Sequence, residues 1–172
     1  MQHLIDSTRE MENVEGWVVR FDTGHMLKVK GEWYVRIHKT KDNLNFEKNI
    51  IDLIINEKID DAKSFMLDAD RIRVEEFEKK FWSGHHEFVI ETSNILNSAL
   101  AECKGDKKTF AMSDKYKFHP LVKSMMFTCW DGTKSIEEAC IETIRKNVGT
   151  QKKVDLIRFL WGNAKWQNES VE

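Results

Sequence analysis

The sequence predicts a mainly α protein with a small β part: an N-terminal β-hairpin followed by an all-helical domain of six or seven helices. Three observations carry this expectation. Residues 16–21 and 25–30 both alternate apolar and polar side chains, and Asp22-Thr23-Gly24 between them is turn chemistry. After Gly31 the apolar residues recur at three- and four-residue steps, the spacing of one helix face. No later segment alternates as a strand would.

The elements follow in order. Leu4, Ile5 and Met11 among charged neighbours suit a short, partly exposed leading helix. Trp33, Tyr34 and Ile37 share a helical face, and Asn45 is a candidate cap for a stripe of Phe46, Ile50, Leu53 and Ile54. Residues 60–67 read as a short helix. Residues 69–103 read as a long one with Val74, Phe77, Phe81, Phe88, Ile95 and Ala99 near one face and Gly84 as a kink or break. Residues 105–114 read as a polar connection. Pro120 opens a further helix, because proline at the first helical position sacrifices an N–H that has no partner anyway. Ser135 and Glu138 form a capping box, Gly149 ends that helix, and Thr150 caps the last. Trp17, Trp33 and Trp161 have apolar neighbours and read as core, whereas Trp166 reads as exposed.

Length and composition set bounds. A chain of 172 residues suits one domain, or a small piece plus a domain. With 41% hydrophobic and 33% charged residues it is globular rather than disordered. A formal charge of −2 excludes a strongly basic nucleic-acid coat, so any such role needs a local patch. Residues 14–41 supply one: Arg20, Lys28, Lys30, Arg36, Lys39 and Lys41 face Glu15, Asp22 and Glu32. Three cysteines without Cys-x-x-Cys spacing read as reduced thiols. With no apolar run near membrane-spanning length, a cytoplasmic location without membrane attachment is expected, in the host if the protein is viral. His85 and His86 lack the spacing of paired metal ligands.

Lys28 and Lys30 are a candidate anion-binding pair. Two apart on a strand, they project from one face, and their repulsion is relieved when a polyanion such as nucleotide phosphate lies between them. A four-residue loop over residues 22–25 sets Trp17 opposite Lys30 and Val19 opposite Lys28, and keeps Glu15 on the lysines' face. The plainer alternative is a charged strand edge that discourages aggregation.

The ordered run Glu15-Gly16-Trp17-Val18, Lys28-Val29-Lys30, Glu32-Trp33-Tyr34-Val35 and His38-Lys39-Thr40-Lys41 resembles the last two nucleotidyltransferase motifs of the bacteriophage RNA ligase 1 family and the segment after them. A weaker likeness continues at Gly105–Met112. The family's Lys-x-Asp-Gly motif, which carries the lysine–AMP bond, is absent: Asp131-Gly132 follows Cys129-Trp130. The resemblance therefore implies the C-terminal part of an ATP-dependent RNA ligase. Residues 1–31 would be the remnant of a nucleotidyltransferase domain, and residues 32–172 the family's helical C-terminal domain.

It also implies roles. Lys28 and Lys30 would be catalytic, contacting the phosphates of ATP or of the adenylate and stabilising charge at the reacting phosphorus. Glu15 would hold a divalent metal or the nucleotide ribose. ATP and Mg²⁺ would serve the complete enzyme, with neither expected tightly bound to this chain alone. Lys39, Lys41, Lys107 and Lys108 are candidate RNA contacts, the last two from a loop. The implied partners are RNA, with a broken tRNA anticodon loop as the family's association, and the N-terminal nucleotidyltransferase part of a ligase. Alone, the chain is expected to be inactive. Two other readings stay open here: a stand-alone module that binds RNA or protein without catalysis, and a half that completes a split ligase in trans.

Overall fold

The computed structural model describes residues 2–167. A two-stranded antiparallel hairpin stands near the N-terminus and nine α-helices make up most of the rest of the described chain. Helix α1 (Gln2–Glu10) leads into β1 (Gly16–Arg20) and β2 (Met26–Lys30). Then follow α2 (Glu32–Leu44), α3 (Glu47–Ile55), α4 (Ile59–Lys63) and the long α5 (Asp68–Glu102). The chain continues through α6 (Lys107–Met112), α7 (Pro120–Cys129), α8 (Ile136–Asn147) and α9 (Gln151–Ile157), and α9 runs into a 3-10 turn at Arg158–Trp161. No helix among the described residues is long and apolar enough to cross a membrane.

The hairpin register differs from the four-residue-loop expectation. Trp17 pairs with Val29, Val18 with Lys28 and Gly16 with Lys30. The Phe21 N–H donates to the His25 carbonyl at 2.9 Å and the Gly24 N–H to the Phe21 carbonyl at 2.8 Å, so three residues, Asp22 to Gly24, make the loop. Gly24 takes φ 86°, the left-handed conformation that closes three-residue hairpin loops. Val18 and Gly16, rather than Val19 and Trp17, therefore lie opposite the two lysines.

The hairpin is clasped at its base, and α1 lies against β2. The Gly31 N–H donates to the Glu15 carbonyl at 2.9 Å, clasping the entering and leaving chain together. Gly31 is buried against the Val14 carbonyl, which a Cβ would approach to 2.7 Å. Of the hairpin's large apolar residues only Val29 is buried. Trp17, Val18, Phe21, Met26 and Leu27 are exposed, so Trp17 is not part of the core.

The helical domain has one continuous core. Helix α5 buries Val74, Phe77, Phe81, His85, Thr92, Leu96 and Ala99 along one face and runs unbroken through Gly84. A Cβ at Gly84 would sit 2.4 Å from the Trp161 carbonyl oxygen, so glycine serves here as the point where the 3-10 turn presses on α5. The start signals on α7, α8 and α9 form as the sequence predicts: proline in the first turn of α7, the Ser135–Glu138 capping box, and the Thr150 cap. One helix was hidden in the supposed connection of residues 105–114. Asp106 accepts the backbone N–H groups of Lys108 and Thr109 and starts α6, while Phe110 anchors it in full burial against Tyr116, Phe127 and Trp130. Eight helices thus follow the hairpin among the described residues.

His85 carries a pH dependence. Its Nε2 is the one buried side-chain nitrogen or oxygen among the described residues that lacks a hydrogen-bond partner. Burial pushes its pKa below the ordinary value; the Glu137 carboxylate opposes this and His86 adds to it. The unfolded chain therefore takes up this proton more readily than the folded one. The stability contribution is present above about pH 6.5 and is lost as pH falls from there through the folded-state pKa. Urea unfolding between pH 7.5 and 5 should show a steeper loss for the wild type than for His85→Leu; parallel curves would contradict the assignment.

Candidate nucleotide-phosphate site on the hairpin

Lys28 and Lys30 share a face of β2, and Glu15 precedes β1. Strict alternation in the observed register would send Glu15 to the face of Trp17. Gly16 prevents this: its φ of 136° breaks the alternation, and a Cβ there would lie 2.0 Å from the Val29 carbonyl oxygen. The Glu15 carboxylate consequently turns to the lysines, and Lys28 Nζ donates to its Oε1 at 2.9 Å. Glycine after the glutamate is thus a geometric requirement of the cluster.

The electrostatics are mutual. The Lys28 ammonium, first through its hydrogen bond and then through its charge, holds the Glu15 carboxyl below its ordinary pKa; desolvation opposes it, and Tyr34 and Lys30 add smaller lowering effects. Glu15 in turn raises the Lys28 pKa. Lys30 Nζ lies 5.5 Å from the centroid of the Tyr34 ring, a cation–π distance. Lys28 thus bonds directly to the carboxylate, whereas Lys30 acts on it only through its charge and lies over the Tyr34 ring. The Lys28–Glu15 pair is about half exposed on each side, where an ion pair adds little to stability. Its charges remain accessible to an incoming anion.

Tyr34 is the site residue the sequence reading missed. Its four-residue offset from Lys30, across the strand-to-helix junction at Gly31, was the available signal. The ring stands in the first part of α2 and also contacts His38, with centroids 4.2 Å apart.

A divalent ion fits this cluster only in part. Glu15 offers one hard carboxylate, and no group of three or more His, Cys, Asp or Glu side chains among the described residues is arranged to hold a metal. Mg²⁺ commonly takes one or two carboxylates and completes its shell with substrate phosphate and water, and that is the role Glu15 can fill.

The other candidate cations lie apart. Lys39 and Lys41 are exposed on α2, with Lys41 in its last turn, where a cation complements the helix dipole. Lys107 and Lys108 are not in a loop: they occupy the first turn of α6, with Lys107 close enough to Asp131 to help lower its pKa. Trp166 is buried, contrary to the sequence expectation, because its Nε1–H donates to the Leu44 carbonyl at 2.7 Å and its backbone N–H to Glu47 at 3.2 Å.

Together these features describe a helical body bearing a hairpin with two exposed lysines beside one carboxylate. No family model matches the chain.

Proposed function

We propose that this chain is the C-terminal part of an ATP-dependent RNA ligase that joins RNA ends. In this reading it supplies the phosphate-contacting lysines and a helical domain for RNA recognition. The adenylated lysine comes from an N-terminal nucleotidyltransferase part. The observation that carries the reading is the cluster itself: Lys28 and Lys30 on one strand face, Glu15 turned onto that face by Gly16, and Tyr34 beneath Lys30.

The surroundings support an incomplete site. A two-stranded hairpin is marginal by itself, and this one leaves five large apolar side chains exposed. Such a ribbon is suited to packing against further sheet, which the nucleotidyltransferase part would provide. That geometry favours a piece completed by another polypeptide segment over a stand-alone binding module.

Phosphoryl transfer needs positioning and neutralisation of charge more than covalent help from the protein. Lys28 and Lys30 would bind and orient the nucleotide phosphates, with Lys28 exchanging its bond to Glu15 for a phosphate oxygen. ATP supplies the activating AMP, and a divalent ion at Glu15 would neutralise part of its charge. Tyr34 would hold Lys30 from below.

The reading predicts that the chain alone forms no covalent AMP adduct. Incubation with ATP and Mg²⁺ followed by intact-mass analysis should show the unmodified mass. A gain of one AMP on any lysine would overturn the division of labour.

A further inference from the structure

We infer that a second phosphate-binding site lies at the other end of α2, in a cavity of about 240 Å³ where Arg73, Lys80 and Lys165 receive a phosphodiester of the RNA strand. The inference rests on the RNA ligase reading and adds the place where the helical domain holds the strand.

Arg73 and Lys80 are seven residues apart on α5, two helical turns, and so share a face. Lys165 comes from the segment after the 3-10 turn. That segment is fixed because Trp166 bonds to both Leu44 and Glu47. Phe77 and Trp166 meet edge to face at 5.6 Å and form the apolar wall. The Arg73 guanidinium lies 5.1 Å over the Trp166 ring and donates to the Gln167 carbonyl at 2.6 Å and to Asp70 at 3.4 Å. It is therefore held in one orientation before any ligand arrives, the condition under which a planar fork binds phosphate well.

The charge balance favours an anion. Arg73, Lys80 and Lys165 line the cavity with Glu76, and Asp70 pairs with Arg73 from outside the lining, which leaves three cations to two carboxylates. Neither Lys80 nor Lys165 forms an ion pair among the described residues, although Lys165 is near enough to Asp155 to help lower its pKa.

The position suits a strand that also reaches the hairpin. Trp166 is bonded to Leu44, the last residue of α2, while Lys30 immediately precedes Gly31 at the helix's other end. Thirteen helical residues span about 20 Å, or roughly six phosphates of a stacked strand. Lys41 lines the neighbouring cavity, beside Asp70, between the two ends.

The test is fluorescence anisotropy with a labelled 12-nucleotide single-stranded RNA bearing a 5′-phosphate, titrated at several salt concentrations. The wild-type chain is compared with Lys80→Ala/Lys165→Ala, with Lys80→Glu alone and with Lys28→Ala/Lys30→Ala. Removing Lys80 and Lys165 should weaken binding at least about fivefold at low salt and flatten the log–log salt slope by about 1.4, two phosphates' worth. Lys80→Glu should weaken it as well; this single exposed change guards against a folding defect in the double variant. Unchanged affinity and slope in both would overturn the inference, as would absence of RNA binding by the wild type. If only the hairpin variant loses affinity, this cavity is not the site and the ligase reading stands. If only the cavity variants lose affinity, the inference holds and the hairpin takes no part in holding the strand.

Discussion

Replacing both Lys28 and Lys30 by alanine should abolish RNA end joining in the completed ligase while leaving the helical domain folded. Both side chains are exposed, so their loss removes no core contact. In the proposed site each is a charge that would meet the nucleotide phosphates. Loss of one such donor commonly costs about 10²- to 10³-fold in rate. The two act on one group and need not add, so a combined loss of at least about 10³-fold is expected. Rates are best measured with pre-adenylated RNA as well as with ATP, which separates the final sealing step from the first. Sealing at the wild-type rate would remove both lysines from the site.

Glu47→Ala should unfold the domain far more readily than any exposed change. The Glu47 carboxylate is almost fully buried. It accepts from Arg158 Nε at 3.1 Å and Nη2 at 2.5 Å, from Gln151 at 2.7 Å and from the Trp166 N–H at 3.2 Å. Removing it strands a mostly buried guanidinium, to which Asp155 remains as a partial partner, and frees the segment that carries Trp166. Breaking one side of a buried pair typically costs about 3–5 kcal/mol. The residual Asp155 contact puts this case near 3 kcal/mol, a large share of the roughly 5–15 kcal/mol that holds most domains folded. Urea unfolding measures it directly. A Glu47→Ala/Arg158→Met variant should recover part of the loss, because it no longer leaves an unpaired charge. A change below about 1 kcal/mol in the single variant would show that the network contributes little.

What the sequence made legible was local. Turn residues announced the hairpin, a single apolar face announced α5, and Ser135, Glu138, Thr150 and Pro120 announced helix starts. Lys28 and Lys30 were placed on one face correctly, because strand periodicity alone decides that. The cross-strand partners were misplaced by one residue, because the loop length turned on whether Gly24 adopts a left-handed conformation. Glu15 nevertheless reached the lysines, for a reason the alternation rule cannot supply: Gly16 departs from it. Helix α6 escaped because its run of Lys107, Lys108 and Thr109 looks polar, and its one anchor, Phe110, gives no periodicity. The burial of Trp166 escaped because its partners, Glu47 and Leu44, lie 119 and 122 residues away in sequence. Nothing local marks such a contact.

In the proposed function the hairpin forms one wall of a nucleotide site whose reactive wall lies in a nucleotidyltransferase part. Mixing this chain with such a part, ending before its own Glu-Gly motif and containing Lys-x-Asp-Gly, and supplying ATP, Mg²⁺ and RNA with 5′-phosphate and 3′-hydroxyl ends tests it most directly. Joined RNA is expected only when both polypeptides are present, with AMP found on the partner's lysine alone. A stable complex of the two folded polypeptides that joins no RNA would contradict it.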